Sequence, residues 1–331
     1  MNKSKFLIIG SNSFSGSSFI SYLLKKKFKV IGISRSKELN KVFLPYKWYG
    51  KEENFKFFRL DLNKNLKEII DVVKKFKPSY IINFSAQGMV AESWLSPNDW
   101  YKTNLISQVE FHNQIRNFSF IKKYIHFTTP EVYGSTKGWI KENFNFNPST
   151  PYAVSRAACD LHLKSFYDAY KFPVIFTRAS NVYGPGQQLY RIIPKTLLLS
   201  KKNKKFSLHG GGKSIRSFIH INDVSSALYK IVIGGKIGTT YHISTNEFIS
   251  IKDIVKKICR LMNVNFNDVV TIDVDRLGKD QAYLLNSSRL RFSLGWSDKI
   301  SLDQGLKETL HWINNNFDVL RKMSDEYKHK K

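Results

Sequence analysis

The chain is poor in cysteine and lacks long hydrophobic runs. Its 331 residues include two cysteines, Cys159 and Cys259, which excludes a disulfide scaffold and favours a reducing, cytoplasmic compartment. No apolar run approaches the ~20 residues of a membrane-spanning helix. The first run, residues 6–10, is too short for a signal peptide. The eight histidines show no metal-ligand spacing, so we expect no metal site.

Acidic residues are also scarce. The chain has 26 Asp and Glu against 53 Lys and Arg, a net charge of +27, which raises the question of a nucleic-acid or membrane partner. The lysines lie in small separate groups, and no recognition helix, zinc finger or RNA-binding signature accompanies them. We therefore expect solvated surface charge and neither of these partners. With 42% hydrophobic and 24% charged residues, the composition is that of a globular protein.

The first 180 residues alternate short apolar runs with helical patterns. This alternation predicts an α/β fold with a doubly wound, parallel sheet. The expected strands are 6–10, 30–34, 55–60, 80–84, 123–127 and 173–178, and the expected helices are 16–27, 65–76, 98–117 and 151–170.

After residue 180 the strict alternation ends, and Gly and Pro interrupt residues 184–194. We expect a dinucleotide-binding Rossmann domain formed by residues 1–180 plus about 218–245, where a helix at 222–233 and a strand at 239–243 return to the first sheet. Residues 181–217 and 246–331 then form a smaller α+β lobe that binds the substrate. The expected active site lies between the two, at the carboxyl ends of the strands.

A glycine loop follows the first expected strand. Gly10 and Gly16 enclose Ser-Asn-Ser-Phe-Ser, and a helix begins at once. The first glycine permits a tight turn, the last permits close helix–strand packing, and the helix N-terminus faces a pyrophosphate. Ser13 replaces the middle glycine of the dinucleotide-binding motif. The alternative is a plain Gly/Ser turn.

The end of the second strand bears on cofactor choice. An acidic residue there binds the ribose 2′-hydroxyl of NAD, whereas a nearby arginine accommodates the 2′-phosphate of NADP. This chain has Arg35 and no carboxylate in residues 32–36. The cofactor is thus NAD or NADP, with a mild preference for NADP.

Two further segments carry groups suited to acid–base chemistry. Thr129 and Glu131 follow the fifth expected strand, and Tyr152 and Arg156 lie four apart on one helix face. A fixed cation beside Tyr152 favours tyrosinate and gives a base near neutral pH. A capping box that starts at Thr128 would also explain Glu131, but it would not explain the Tyr–Arg pair.

With these motifs the chain resembles the extended short-chain dehydrogenases/reductases of the sugar-nucleotide epimerase/dehydratase group. It is most similar to the 4,6-dehydratases of dTDP-glucose and GDP-mannose. The resemblance covers nearly the whole chain and rests on seven segments, namely residues 10–16, 61–62, 83–87, 129–134, 152–156, 181–185 and 216–223.

The resemblance implies a redox-neutral conversion of an NDP-hexose into an NDP-4-keto-6-deoxyhexose. Tyr152 takes the proton of the 4-hydroxyl, Thr129 hydrogen-bonds the same oxygen, and Glu131 removes the C5 proton. The implied cofactor-binding residues are Gly10, Ser13, Phe14, Ser15, Gly16, Arg35, Asp61, Leu62, Ser85, Ala86, Thr103, Tyr152 and Arg156. The implied substrate-binding residues are Gln87, Asn181, Arg191, Arg216 and Arg276.

Two residues depart from the family pattern. Arg156 stands where the family has lysine; it keeps the cation but never gives up its proton. Pro130 stands where the dTDP-glucose enzymes have an aspartate acid, and proline cannot deliver a proton. A C4 epimerase or 4-keto reductase would need Tyr152 but not Glu131, and a sugar-nucleotide-binding paralogue without turnover would tolerate both changes.

The helices expected at 98–117 and 151–170 carry apolar residues on more than one face, which indicates burial on more than one side. Packing of both against their copies would give a two-fold, four-helix interface. We therefore expect a homodimer, as the resemblance also implies.

Overall fold

A computed structural model describes residues 4–48, 50, 53–275, 278 and 280–329. Its main sheet has seven parallel strands in the order β12-β7-β5-β4-β1-β2-β3, which confirms the expected α/β fold. The strands of the chain are β1 (Lys5–Ile9), β2 (Lys29–Ser34), β3 (Phe55–Arg59), β4 (Tyr80–Asn83), β5 (Lys123–Thr128), β6 (Trp139–Ile140), β7 (Val174–Ala179), β8 (Asn181–Tyr183), β9 (Phe206–His209), β10 (Ile215–Arg216), β11 (Phe218–His220), β12 (Thr240–Ile243), β13 (Ile249–Ser250), β14 (Val270–Asp273) and β15 (Ala282–Leu285).

Helices cover both faces of this sheet, as parallel strands require. The α-helices of the chain are α1 (Phe14–Lys25), α2 (Leu66–Phe76), α3 (Pro97–Tyr101), α4 (Ser107–Ile115), α5 (Pro151–Tyr170), α6 (Ile192–Lys201), α7 (Ile221–Gly234), α8 (Ile251–Leu261), α9 (Phe266–Val269), α10 (Ser288–Leu294), α11 (Leu302–Asn315) and α12 (Phe317–Leu320). On one face, buried residues of α1 and α7 form one apolar cluster with the strands. On the other, α2, α4 and α5 contribute to a second cluster. No helix among the described residues has the length and hydropathy of a membrane span.

The residues after β7 build most of a second layer with its own core. Apolar side chains of α6, α8 and α11 pack there with those of β9 and β14. A four-stranded sheet of order β13-β10-β15-β6 and the pairs β8–β11 and β9–β14 complete it. Strand β12 lies in the main sheet beside β7. The division into two domains at the expected boundaries stays a prediction.

Two of the expected helices have different bounds in the structure. The first begins at Phe14 rather than residue 16, because the Ser13 side chain caps it by accepting a hydrogen bond from Gly16 N. The helix expected at 98–117 is divided into α3 and α4 by one π-helical turn, Lys102–Ile106, and α4 ends at Ile115. Such turns occur often at functional sites, and this one contains Thr103 and Asn104.

Candidate active site

A cleft of about 1410 Å³ opens at the carboxyl ends of the parallel strands. The strand order reverses between β1 and β4, and ligands of open α/β sheets bind at this point. Gly16 lies beneath the loop that faces the cleft, and Arg276 lies outside the described residues. Every other residue that the sequence predicts for cofactor, catalysis or substrate lines this cleft, namely Gly10, Ser13, Phe14, Ser15, Arg35, Asp61, Leu62, Ser85, Ala86, Gln87, Thr103, Thr129, Glu131, Tyr152, Arg156, Asn181, Arg191 and Arg216.

The glycine loop is shaped for close approach. Gly10 has φ +81°, and a Cβ atom there would lie 2.7 Å from Ser85 N. Ser13 Oγ accepts from Gly16 N at 3.0 Å and donates to Gly10 O at 2.7 Å. A Cβ atom on Gly16 would collide with that same carbonyl. The loop is thus closed on itself, with the N-terminus of α1 directed at the cleft, where it favours an anion.

The next wall of the cleft follows β4. Asn83 Oδ1 accepts from both Ser85 N, at 2.9 Å, and Ser85 Oγ, at 2.6 Å. The Asn83 side chain is held in turn by Gln108 and Tyr124, because its Nδ2 donates to Gln108 Oε1 at 2.7 Å and to Tyr124 OH at 2.6 Å. Because this network is buried, it fixes the position of Ser85 on the cleft floor.

Helix α5 presents Tyr152 and Arg156 from its first turns. Thr150 caps the helix by accepting from Ala153 N at 3.2 Å. Arg156 is 1% exposed, and its Nη2 donates to the carbonyl of Phe127 on β5 at 2.6 Å. Its Nε and Nη1 have no hydrogen-bond partner within the described part of the chain. The guanidinium is therefore fixed beside the cleft, and its Nε and Nη1 remain available to donate to a ligand.

The electrostatics of Tyr152 correct one expectation. Burial raises its pKa above the usual value, and the Glu131 carboxylate acts in the same direction. Arg156 lowers it, as predicted, and so do the Thr129 hydroxyl and Arg191. These three do not outweigh burial, so the hydroxyl remains protonated near neutral pH.

Glu131 faces Tyr152 from the turn after β5. Burial raises the pKa of this carboxyl, against the opposing effects of its backbone hydrogen bond, Arg216 and Arg191. Tyr283 places its hydroxyl 3.4 Å from Glu131 Oε1 and 3.0 Å from Asn181 Oδ1. With a single hydrogen, this hydroxyl donates to one of the two at a time. The turn begins at Pro130, and Thr129 Oγ1 accepts from Glu131 N at 3.4 Å.

The arginines of the second layer differ in how free they are. The Arg216 guanidinium lies 4.2 Å over the ring of Tyr283. Its nitrogens donate to the carbonyls of Ile215, Asp280 and Gln281 at 2.7–3.2 Å. Arg191 is exposed at the start of α6. Arg216 thus holds the cleft wall together, and Arg191 offers its charge to a ligand.

Arg35 and Gln87 meet across the cleft, because Arg35 Nη2 donates to Gln87 Oε1 at 2.6 Å. Gln87 Nε2 in turn donates to Tyr327 OH at 3.0 Å. Sequence reasoning missed Tyr283 and Tyr327. Tyr283 follows the predicted substrate residue Arg276 in the chain but belongs to no motif. Tyr327 lies 240 residues from Gln87, and no sequence spacing indicates a contact over that separation.

A parallel doubly wound sheet, a glycine loop at its first turn and a Tyr–Arg pair beside Thr129 and Glu131 define an epimerase/dehydratase-type protein. Comparison with known proteins specifies the family. The family model described as "GDP-mannose 4,6 dehydratase" matches residues 7–309. The chain belongs to this family, and it is of the sugar-nucleotide 4,6-dehydratase type.

Individual relatives agree. The dTDP-D-glucose 4,6-dehydratase of Dictyostelium discoideum is 32% identical over 365 residues, covering 94% of this chain and 82% of that one. A probable dTDP-glucose 4,6-dehydratase of Sinorhizobium fredii is 27% identical over 328 residues, covering 94% and 93%. The dTDP-glucose 4,6-dehydratase of Bacillus anthracis, solved with NAD, superposes with a TM-score of 0.85 at 27% identity, covering 96% of this chain and 98% of that one.

Proposed function

We propose that the protein converts an NDP-hexose into an NDP-4-keto-6-deoxyhexose, with Tyr152, Thr129, Glu131 and Arg156 as its catalytic residues. One observation carries the proposal: the half-buried Glu131, a carboxyl whose pKa is raised by desolvation, lines the same cleft as Tyr152. An epimerase or 4-keto reductase needs the tyrosine and has no task for this carboxyl.

The cleft fits a nicotinamide dinucleotide. The absence of a Cβ atom at Gly10 lets the glycine loop pack against the backbone of Ser85. This places the glycine loop, the start of α1 and the residues after β4 together on the lining of the cleft. Gly10, Ser13, Asp61, Ser85 and Thr103 would hold the dinucleotide, which when bound supplies a reversible hydride acceptor. Arg35 favours NADP, although its bond to Gln87 would have to be shared with a 2′-phosphate.

The first half of the reaction is oxidation at C4 of the sugar. Tyr152 accepts the proton of the 4-hydroxyl, and the Thr129 hydroxyl donates to the same oxygen. Arg156 lowers the pKa of Tyr152 and so helps the tyrosine to act as a base. Because the net pKa is raised, this step is favoured by higher pH.

The second half is loss of water across C5 and C6. The 4-ketone acidifies the C5 proton, and Glu131 takes it. Pro130 has no proton to give, so the protonated Glu131 returns its proton to the departing 6-hydroxyl, which leaves as water. Burial raises the pKa of this carboxyl, so Glu131 is suited to hold a proton between these two events. The hydride taken from C4 is then returned to C6, and C5 takes a proton, balanced by the one that Tyr152 accepted, which gives the 4-keto-6-deoxy product.

The substrate's diphosphate is held by Arg191, whose exposed guanidinium faces the cleft. Arg216 contributes charge from its fixed position on Tyr283. Asn181, bonded to Tyr283, orients the sugar. Planar guanidinium groups suit adjacent phosphates because they donate in pairs.

A homodimer is part of the proposal. Val154 and Leu161 are 39% and 50% exposed on one face of α5, and Ile106 is 51% exposed between α3 and α4. Val154 and Leu161 lie seven residues apart on α5, the spacing of a helix–helix contact. Tyr152 lies at the start of the same helix, so dimerisation would also steady the catalytic tyrosine.

Incubation with a panel of nucleotide sugars and NAD or NADP, followed by mass spectrometry, tests the proposal. A product that has lost one water supports a dehydratase. An isomer of unchanged mass would instead identify an epimerase. No change across the panel would contradict turnover and favour a sugar-nucleotide-binding protein.

A further inference from the structure

The segment after α12 lies across the cleft. Residues 323–328 contribute to the cleft lining together with the glycine loop and α6. Along this segment, Met323, Asp325, Tyr327 and His329 are half-buried, whereas residues 324, 326 and 328 are exposed. A period of two is that of an extended chain laid on a surface. Every second side chain of residues 323–329 thus faces the protein.

The end of this segment is fastened at His329. Its ring stacks on Trp100 with centroids 4.9 Å apart and planes 6° apart. His329 Nε2 lies 2.7 Å from Asp99 Oδ2, and Nδ1 lies 2.8 Å from Gln87 Nε2. The neutral tautomer with its hydrogen on Nε2 satisfies both contacts. Because Trp100 is fully buried, the histidine rests on a fixed wall of α3.

Three more contacts fasten the middle of the segment. Tyr327 OH accepts from Gln87 Nε2 at 3.0 Å, and its ring meets Tyr190 edge to face at 5.4 Å. Asp325 lies 3.6 Å from Lys195 Nζ. The segment therefore bridges the cleft from α6 on one side to Gln87 and α3 on the other.

Gln87 is a rigid anchor for this bridge. Its N–H donates to Asn104 Oδ1 at 2.7 Å, and its carbonyl accepts from Asn104 Nδ2 at 3.0 Å. Asn104 Nδ2 also donates to Ser155 Oγ at 3.0 Å, and Ser155 precedes Arg156 on α5. Gln87 Oε1 accepts from Arg35. One side chain thus joins the segment to the proposed cofactor site and to the catalytic helix.

We propose that residues 323–329 form a strap that closes the cleft over the bound dinucleotide. The contacts of His329 with Trp100, Asp99 and Gln87, here called the latch, set the rate at which the dinucleotide leaves. The inference rests on the proposed function, which places the dinucleotide in this cleft. A redox-neutral cycle regenerates its cofactor at every turnover, so the cofactor has no need to leave. A strap fastened to Gln87, whose Oε1 accepts from the predicted cofactor residue Arg35, would retain it while sugar nucleotides exchange.

The test measures cofactor release from the full chain. The protein is loaded with NADH or NADPH and chased with excess oxidised cofactor, and release is followed by nicotinamide fluorescence. We expect His329→Ala to accelerate release about tenfold or more, because it removes the stack and both polar contacts. His311→Ala, the same substitution on the exposed surface of α11 and outside the cleft lining, should release at the rate of the unaltered protein.

A second variant alters Asp99, the partner of His329 Nε2. Asp99→Asn should also accelerate release, and the double variant should release no faster than His329→Ala alone, since both changes open one latch. Unchanged release in both single variants, with tight binding retained, would overturn the strap and leave the proposed function intact. A chain that binds neither dinucleotide would overturn the proposed function and the strap together.

Discussion

Replacement of Glu131 by glutamine isolates the dehydration step. Gln keeps the size of the side chain and can still accept from the Tyr283 hydroxyl, 3.4 Å away. It leaves intact the turn, which is held by the backbone contact from residue 131 to Thr129. Only the ability to take and return a proton is lost. A positioned acid–base group contributes about 10²–10⁴ in rate, which corresponds to roughly 3–5 kcal/mol of barrier.

We therefore expect Glu131→Gln to oxidise C4 and then stall. In single-turnover mixing, absorbance of reduced nicotinamide should rise at the normal rate, and formation of the dehydrated product should slow ~10²-fold or more. Glu110→Gln, on the exposed surface of α4, is the matched control and should behave as the unaltered protein. Dehydration at the full rate by Glu131→Gln would show that this residue only caps the turn.

The remaining predictions concern Arg156, Gly10 and Leu161. Arg156→Lys should retain activity, whereas Arg156→Met should raise the pKa of Tyr152 further and shift the rising limb of the kcat–pH profile to higher pH, because the base must be deprotonated to act. An unaltered profile in the Met variant would remove Arg156 from the mechanism. Gly10→Ala forces a side chain into φ +81°, 2.7 Å from Ser85 N; thermal unfolding should show a loss of about 1–3 kcal/mol, with weakened dinucleotide binding by titration. Leu161→Asp places a charge on the exposed face of α5, and this variant should sediment as a monomer of reduced activity. The unaltered chain should sediment as a dimer, and a fully active monomer at low micromolar concentration would contradict this prediction.

The main sheet could be predicted from the sequence because its central strands, such as β1 and β4, are buried and read as apolar runs between helices. The second layer could not. Its strands β10 and β13 have two residues each, too few for a period-two pattern to emerge. The π turn at Lys102–Ile106 was also hidden, since residues 98–117 carry a continuous helical pattern.

The site was predicted where local spacing carries the chemistry. Tyr152 and Arg156 share a helix face by their spacing alone, and the glycine loop is contiguous. The net pKa of Tyr152 was not predictable, because it depends on how deeply the fold buries the ring and on the approach of Glu131 from another segment. Tyr283 and Tyr327 reach the cleft through tertiary packing that no motif records.

Isotope tracing tests the central claim most directly. An NDP-hexose that carries deuterium at C4 is incubated with the protein and NAD or NADP, and the product is examined by mass spectrometry and NMR. The proposed redox-neutral cycle predicts loss of one water with the deuterium transferred to the C6 methyl group of the same product. A dehydrated product without the label at C6, or a labelled sugar that loses no water, would contradict it.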